Sequence, residues 1–319
     1  MPIPQARGLT PEQVARRLKL RDLSILAAAV ECGSMARAAA RLAMSQPAVS
    51  ESIANLEAAL GVRLVDRSPR GIGATAHAQA LLRRTRAVFD ELHQAVREVR
   101  LVDEPSAGEV RVAAGDTTAA GLLPAAIDRL SRRHPGIGVR VVQASPEGTD
   151  FRELRARSVD IALARLSGAF AQDDLDVEAL FDDPHWVVVG ARSPWTRRRR
   201  VALADLAGEP WLLASNRVVR ELIAEAFAAC GLPMPREAVT ASSILLRNHL
   251  LATGRFVTVL PASVVRCNAT RWSLKRLPIE LAVKPRSVAM VTLRNRTSSP
   301  AAALFAEHLR AAARTIAPG

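Results

Sequence analysis

Tyrosine is absent from this 319-residue chain, and with 7 Phe and 4 Trp the aromatic share is only 3%. The cores must then be built from Leu, Val, Ile and Ala. The shortage also argues against a platform of stacked rings for single-stranded nucleic acid. Cysteine is scarce too: Cys32, Cys230 and Cys267 lie far apart, with no C-x-x-C or Cys/His spacing. That argues against a structural zinc site, disfavours a redox pair between Cys230 and Cys267, and fits a reducing compartment. No apolar run reaches the roughly 18 residues of a membrane span. The opening MPIPQARGLTPEQVARR lacks the apolar core of a signal peptide. A soluble cytoplasmic protein without a membrane partner is expected. There is no G-x-S-x-G, P-loop or metal-ligand cluster, and His134, His185 and His249 are scattered without paired carboxylates. Catalysis, a metal and a cofactor are therefore not expected.

What is present is 49% apolar and 24% charged residues, enough for packed cores in two or three domains. The net charge of +13 suggests a polyanionic partner, or an Arg-rich chain that is basic throughout. The distribution does not choose between them. Residues 1–105 hold 15 basic against 11 acidic residues, and the remainder 29 against 20.

Leu20, Leu23, Leu26 and Val30 recur at helical spacing, and Gly33 stands where a glycine ends a helix. Ser34 is placed to cap a short second helix with a small packing face of Met35, Ala38, Ala39 and Leu42. A turn at Ala43-Met44 leads to Ser45, the cap of a third helix with Gln46-Pro47 in its first turn. There the missing proline N–H costs little, whereas in mid-helix it would cost about 3 kcal/mol. Val49, Ile53, Leu56 and Leu60 form the stripe of this helix, and Gly61 closes it. The whole is a helix-turn-helix pattern. In VRLVDRSPRGIGATA, two short segments flank a turn at Ser68-Pro69-Arg70-Gly71, which reads as a wing. Then Ala78, Leu81, Thr85, Val88, Leu92, Ala95, Val99 and Val102 step by 3 and 4 along a helix about 40 Å long. A dimerisation helix is expected, with Leu81, Val88, Leu92 and Val99 at the seam. The alternative is a helix lying on the next domain.

After the break at Pro105-Ser106-Ala107-Gly108, strands and helices alternate. Strands are expected at 109–115, 137–145, 160–164 and 287–293, and in HWVVVGA, WLLAS and RFVTVLP. Helices are expected at 218–230, 242–253 and 300–314. Short links between them indicate parallel α/β units, and some 210 residues suit two small lobes.

The run GSMARAAARLAMSQPAVSESIANLEAALGVRLVDR resembles the N-terminal domain of LysR-type transcriptional regulators. The likeness rests on Gly33-Ser34, Ala38-Ala39, Leu42, Ser45-Gln46-Pro47-Ala48, Ser50, Leu56-Glu57, Leu60-Gly61, Leu64 and Arg67. GEVRVAAGDTTAAGLLPAAI and VDIALAR are similar to the periplasmic-binding-protein-like effector domain of that family. LLATGRFVTVLPASVV resembles the subgroup regulating sugar or aromatic catabolism. Ala36, Glu51 and Ala74-Thr75-Ala76-His77 depart from the pattern. The resemblance implies an α/β fold overall. A winged helix-turn-helix would span 18–75 and a linker helix 76–104. Effector lobe I would take 108–164 with 266–319, and lobe II 165–265.

It also implies a dimeric or tetrameric regulator of inverted-repeat promoter sites in double-stranded DNA. Its further partners would be a small-molecule effector, its own second copy and RNA polymerase. A sequence-tolerant, nucleoid-type DNA binder is the alternative. In a helix-turn-helix the third helix enters the major groove with its first residues at base edges. Ser45, Gln46, Ser50 and Glu51 are the candidates, with Gln46 suited to adenine, Glu51 to a cytosine amino group and Pro47 to a thymine methyl. Ser34, which opens the helix that precedes them, is a further DNA-binding candidate. Arg67 and Arg70 would meet phosphate or minor groove. Ser45 also reads as a plain helix cap, and Arg70 as a solvated turn residue. The effector would lie in a cleft lined by loops at strand ends, which hold Thr117, Thr118, Ser145, Arg165, Ser167, Ser215, Asn216, Ser242 and Ser243. Each alone reads as a cap, and together they read as a pocket. Arg165 would suit a carboxylate.

Overall fold

The computed structural model describes residues 17–68, 71–103, 108–144, 150–166 and 170–317. It divides into two compact units between His93 and Gln94. No single helix among the described residues is long and apolar enough to cross a membrane.

The first unit is built on three helices, α1 (Leu20–Cys32), α2 (Met35–Arg41) and α3 (Gln46–Leu60). Leu23, Ile25, Leu26, Ala28 and Ala29 of α1 bury against Met35, Ala38 and Ala39 of α2 and Val49, Ile53 and Leu56 of α3. The caps follow the sequence pattern. Gly33 ends α1 in a left-handed conformation (φ 61°), and Gly61 ends α3 in the same way (φ 67°). Ser34 Oγ accepts from Arg37 N at 3.5 Å and Ser45 Oγ from Ala48 N at 3.4 Å. Pro47 lies in the first turn of α3, where no intrahelical bond is lost. Ser52, on the inner face of α3, donates to Asp22 Oδ1 at 2.7 Å and ties the third helix to the first.

The wing is the antiparallel pair β1 (Val65–Ser68) and β2 (Gly71–Ala74). Glu57 Oε1 accepts from Leu64 N (2.7 Å) and Val65 N (3.2 Å), fixing where the wing leaves α3. Ile72 N donates to Gly33 O at 3.1 Å, so the returning strand is pinned to the α1–α2 turn. Gly71 is required there. Its φ is 124°, and a Cβ would stand 2.4 Å from Gly33 O.

The long helix α4 (Ala76–Asp103) follows. Ala78 and Leu82 join the helix-turn-helix core, with Leu81 and Phe89 packed partly against it. Leu81 therefore belongs to the packing of the first unit and not to a free seam. Ala78, Leu82 and Thr85 step by 4 and 3 along the buried face, and Leu81 is half-buried at its edge. Among the described residues, the exposed large apolar side chains of α4 are Val88 (43%), Leu92 (40%), Val96 (53%) and Val99 (70%).

In the second unit, one five-stranded sheet has the order β4-β3-β5-β12-β6. Its members are β3 (Gly108–Ala114), β4 (Ile137–Gln143), β5 (Ile161–Leu166), β6 (Leu175–Asp183) and β12 (Arg286–Leu293). β4, β3 and β5 are parallel, with Val112 opposite Val141 and Ala113 opposite Ala162. β12 runs antiparallel to both β5 and β6. Helices α6 (Leu122–Arg133) and α11 (Pro300–Ile316) cover one face. The other face holds Phe151, Leu154 of the short helix α7 (Arg152–Arg155) and Val159.

The second sheet has the order β11-β7-β10-β8-β9. It comprises β7 (His185–Gly190), β8 (Trp211–Ala214), β9 (Glu237–Ala241), β10 (Val257–Pro261) and β11 (Leu274–Arg276). β9, β8 and β10 are parallel, while β7 is antiparallel to β10 and β11. The expected parallel units are present in both sheets, and antiparallel strands complete each of them. The chain crosses between them at Pro184 and again within 277–285, not at 165 and 265. The difference has a cause. β6 is an edge strand with only Leu175 and Phe181 as buried large apolar residues, so it gives little periodic signal. It nevertheless pairs along its length with β12 and keeps 175–183 in the first sheet.

Candidate functional site

Two surfaces carry the chemistry. The first is the outer face of α3. Gln46, Pro47, Glu51, Ala54 and Asn55 are exposed, Ser50 is half-buried, and the opposite face is sealed in the core. Ser45 is exposed while its Oγ serves as the helix cap, so both of its readings are compatible. The face is small and polar and has no bulky side chain to hold a groove edge away. Asn55 stands one turn beyond Glu51 on this face and was missed by motif reading, because only the cap and the first turns carry a local signal. Arg63, at the α3–wing junction, is exposed as well. Ser34 caps α2. Arg67 lies in β1 opposite Ile72. Its side chain, and Arg70 altogether, lie outside the described residues.

The second surface is a cavity of about 420 Å³ in the second unit, lined from both sheets. It forms where the parallel strands end and helices begin. From one side come Gly115–Thr118 at the end of β3 and the start of α5 (Asp116–Ala120), Gln143 at the end of β4, and Leu163–Leu166 of β5. From the other come Ala214–Asn216 after β8, Val218, Val219 and Glu221 of α8 (Arg217–Ala229), Ser242 and Arg247 around α9 (Ile244–Ala252), and Val259–Pro261 of β10. Of the expected residues, Thr117, Thr118, Arg165, Ser215, Asn216 and Ser242 line this one cavity. Ser145 and Ser167 lie outside the described residues. Ser243 does not line it. Its Oγ accepts from Leu246 N at 3.3 Å and caps α9, so its dominant role is that of a helix cap. Several lining groups are also engaged internally. Thr118 Oγ1 donates to Gly115 O at 2.8 Å, and Asn216 Oδ1 accepts from Val218 N at 2.8 Å.

Arg165 departs most from its expected role as a carboxylate ligand. Its guanidinium bonds Asp183 through Nη1, donates to Thr117 Oγ1 (3.1 Å) through Nε and to Ser263 Oγ (3.2 Å) through Nη2. Asp183, 1% exposed, also accepts from Ser263 N (2.8 Å) and Ser263 Oγ (2.6 Å). Burial pulls the Arg165 pKa below its ordinary value, and the charge of Asp183 opposes that pull. Arg165 thus couples β5, the end of β6, α5 and the helix α10 (Ala262–Asn268) at the floor of the cavity, instead of offering a free cation. Beside it His185 is buried, with Nδ1 lacking a partner among the described residues. Burial first, and then the Arg165 charge, push its pKa down to about 3. His185 is therefore neutral at physiological pH. Arg247 and Arg286 also reach the cavity and were not singled out from the sequence. Burial lowers both their pKa values, opposed by the Asp116 charge for Arg247 and by Glu221 and Glu225 for Arg286.

Comparison with known proteins bears on both surfaces. A family model described as a bacterial regulatory helix-turn-helix protein of the lysR family matches residues 20–79. One described as the LysR substrate binding domain matches residues 103–314. The chain is 32% identical over 302 residues to an SDS degradation transcriptional activation protein from a Pseudomonas species, covering 89% of this chain and 92% of that one. It is 28% identical over 303 residues to the regulator GbpR of Azospirillum brasilense, covering 94% and 88%. Among solved structures, the LysR-family regulator CbnR superposes with a TM-score of 0.61 at 23% identity, covering 93% of this chain and 99% of that one. A full-length OxyR from Pseudomonas aeruginosa gives 0.62 at 25% identity, covering 94% and 96%. The chain belongs to the LysR family and is a DNA-binding transcriptional regulator with an effector-binding domain.

Proposed function

We propose that the regulator binds inverted-repeat promoter sites as a dimer or a dimer of dimers, and that a small molecule in the 420 Å³ cavity alters that binding. The observation that carries the DNA half is the exposed polar face of α3 directly after a capped, proline-bearing first turn. A helix so presented lies in a major groove with its N-terminal residues at base edges. Gln46 and Ser50 read bases from there, Glu51 accepts from a cytosine amino group, and Pro47 meets a thymine methyl. Arg67 and Arg70 of the wing hold phosphate or minor groove. Two copies associate through the exposed stripe of α4, Val88, Leu92, Val96 and Val99. Two-fold symmetry in the protein then selects two-fold symmetry in the site, with half-sites about one helical turn, or a multiple, apart.

On this reading the cavity is a regulatory pocket and not a catalytic one. Among the described residues no nucleophile lines it beside a base, and the one lining histidine, His185, is neutral and buried. A ligand bridging the two sheets would shift the balance between lobe arrangements by its differential affinity for them. The protein would act in the cytoplasm, with RNA polymerase as the partner that the DNA-bound form recruits or blocks. The experiment is a footprint on the promoter upstream of or within its own locus, repeated with Gln46→Ala. Relaxed discrimination at one base position of each half-site supports the assignment, and uniform weakening across matched and mismatched sites contradicts it.

A further inference from the structure

Three arginines line the cavity, and among the described residues only one of them is both nearly buried and without a counter-charge in hydrogen-bond reach. Arg165 is held by Asp183, Thr117 and Ser263. Arg286 is only half-buried and lies in the field of Glu221 and Glu225. Arg247 is 3% exposed, and its Nε has no hydrogen-bond partner among the described residues. No ion pair to it occurs there either. The acid nearest in effect, Asp116, accepts instead from Gln143 Nε2 at 2.9 Å. A guanidinium that keeps its charge and is largely withdrawn from bulk water is costly without an anion beside it.

The surroundings of Arg247 suit an anion. It lies in the first turns of α9, and Ser242, two residues before that helix begins, also lines the cavity. Ser215 and Asn216 open the N-terminus of the thirteen-residue α8 on the same cavity. Two helix N-termini thus add partial positive charge where Arg247 already sits. The acids on the wall are engaged, Asp116 by Gln143 and Glu221 by Arg217, so neither is free to hold a cation. An aliphatic part of the wall is formed by Leu163, Leu166, Val218, Val219, Val259 and Leu260. The volume of about 420 Å³ is almost three times the ~150 Å³ cavity that accepts one benzene.

We infer that the cavity takes a small organic anion, its acidic group paired with Arg247 and its apolar body, about the size of a substituted ring, against the aliphatic wall. This rests on the reading of the cavity as the effector pocket.

The test is calorimetric titration of the full-length protein with probes of one shape and three charges: benzoate, benzamide and benzylammonium, with cyclohexanecarboxylate and its amide as a second body. Wild type binds each carboxylate at least tenfold more tightly than its amide and shows no affinity for the ammonium probe. Arg247→Leu lowers the carboxylates to the level of their amides and leaves the amides unchanged, with circular dichroism confirming the fold. Should that variant not fold, Arg247→Lys carries the test. It loses the two-pronged guanidinium contact and weakens the carboxylates severalfold without touching the amides. Amide or ammonium binding as tight as carboxylate binding overturns the inference. So does a preference that survives in Arg247→Leu, equal weakening of both classes in Arg247→Lys, or no carboxylate binding at millimolar concentration. The two readings fail separately. A neutral or cationic probe that binds and changes DNA affinity removes the anion and keeps the effector pocket. A carboxylate held by Arg247 that leaves DNA affinity unchanged does the reverse.

Discussion

Replacing Asp183 by Ala removes the acid at the centre of the cavity floor. Asp183 is 1% exposed and the Arg165 side chain 12%, so the pair is screened from water on nearly every side. The substitution leaves the guanidinium with two neutral acceptors, Thr117 Oγ1 and Ser263 Oγ, and leaves the Ser263 N–H without an acceptor. Breaking a buried pair from one side costs about 3–5 kcal/mol, because the remaining charge stays buried and unpaired. That is a large part of the roughly 5–15 kcal/mol that holds a domain folded. Removing both charges with Arg165→Met and Asp183→Ala together should cost less than Asp183→Ala alone. Urea unfolding followed by tryptophan fluorescence is a clean assay. All four tryptophans, Trp186, Trp195, Trp211 and Trp272, lie beyond Gln94, so the signal reports the second unit only. With m near ~2 kcal/mol per M, the midpoint for Asp183→Ala should fall by roughly 2 M. A loss under about 1 kcal/mol, or a double variant less stable than the single, would refute the argument that the pair is buried and mutually dependent.

Other expectations follow from the same geometry. His185 titrates near 3 in the fold against about 6.5 in the unfolded chain. Above pH ~6.5 both states are neutral and it contributes nothing. As pH falls below that, the unfolded chain takes up a proton the fold refuses, so stability drops by up to ~1.4 kcal/mol per pH unit until about pH 3. Unfolding measured across that window should lose this part of its slope in His185→Gln. Val88→Lys with Leu92→Lys should abolish the proposed association in sedimentation while the helix-turn-helix stays folded. Leu82→Ala should instead destabilise the first unit by about 2–5 kcal/mol with association retained. Gly71→Ala should cost more than a surface change, since its Cβ would collide with Gly33 O at 2.4 Å. Thermal unfolding and DNA affinity should fall together in that variant.

The helix-turn-helix was legible because its signals are short-range. Gly33 and Gly61 stop helices, Ser34 and Ser45 start them, and Pro47 cannot sit anywhere but a first turn. The strand ends that converge on the cavity were legible for the same reason. What stayed hidden depends on long-range packing. Arg247 sits in ILLRNHLLA, where a lone arginine reads as a solvent face, and only the packing of α9 over the second sheet buries it. Arg165 read as a free ligand because its partner Asp183 is 18 residues away on another strand. Leu81 and Leu82 are neighbours of equal hydrophobicity, and the choice between them was made by contact with the helix-turn-helix core. The lobe boundary was misplaced because β6 belongs to the first sheet through pairing with β12, more than a hundred residues later.

The account turns on α3 as a sequence-reading helix in a two-fold symmetric assembly. Selection of bound duplexes from a random pool at near-physiological salt tests that claim most directly. The prediction is an enriched inverted repeat with half-sites about 10 base pairs, or a multiple, between centres. Its most selective position should lose its preference in Gln46→Ala. An unenriched pool, with affinity that only collapses as salt rises, would contradict it and identify a binder of the phosphate backbone alone.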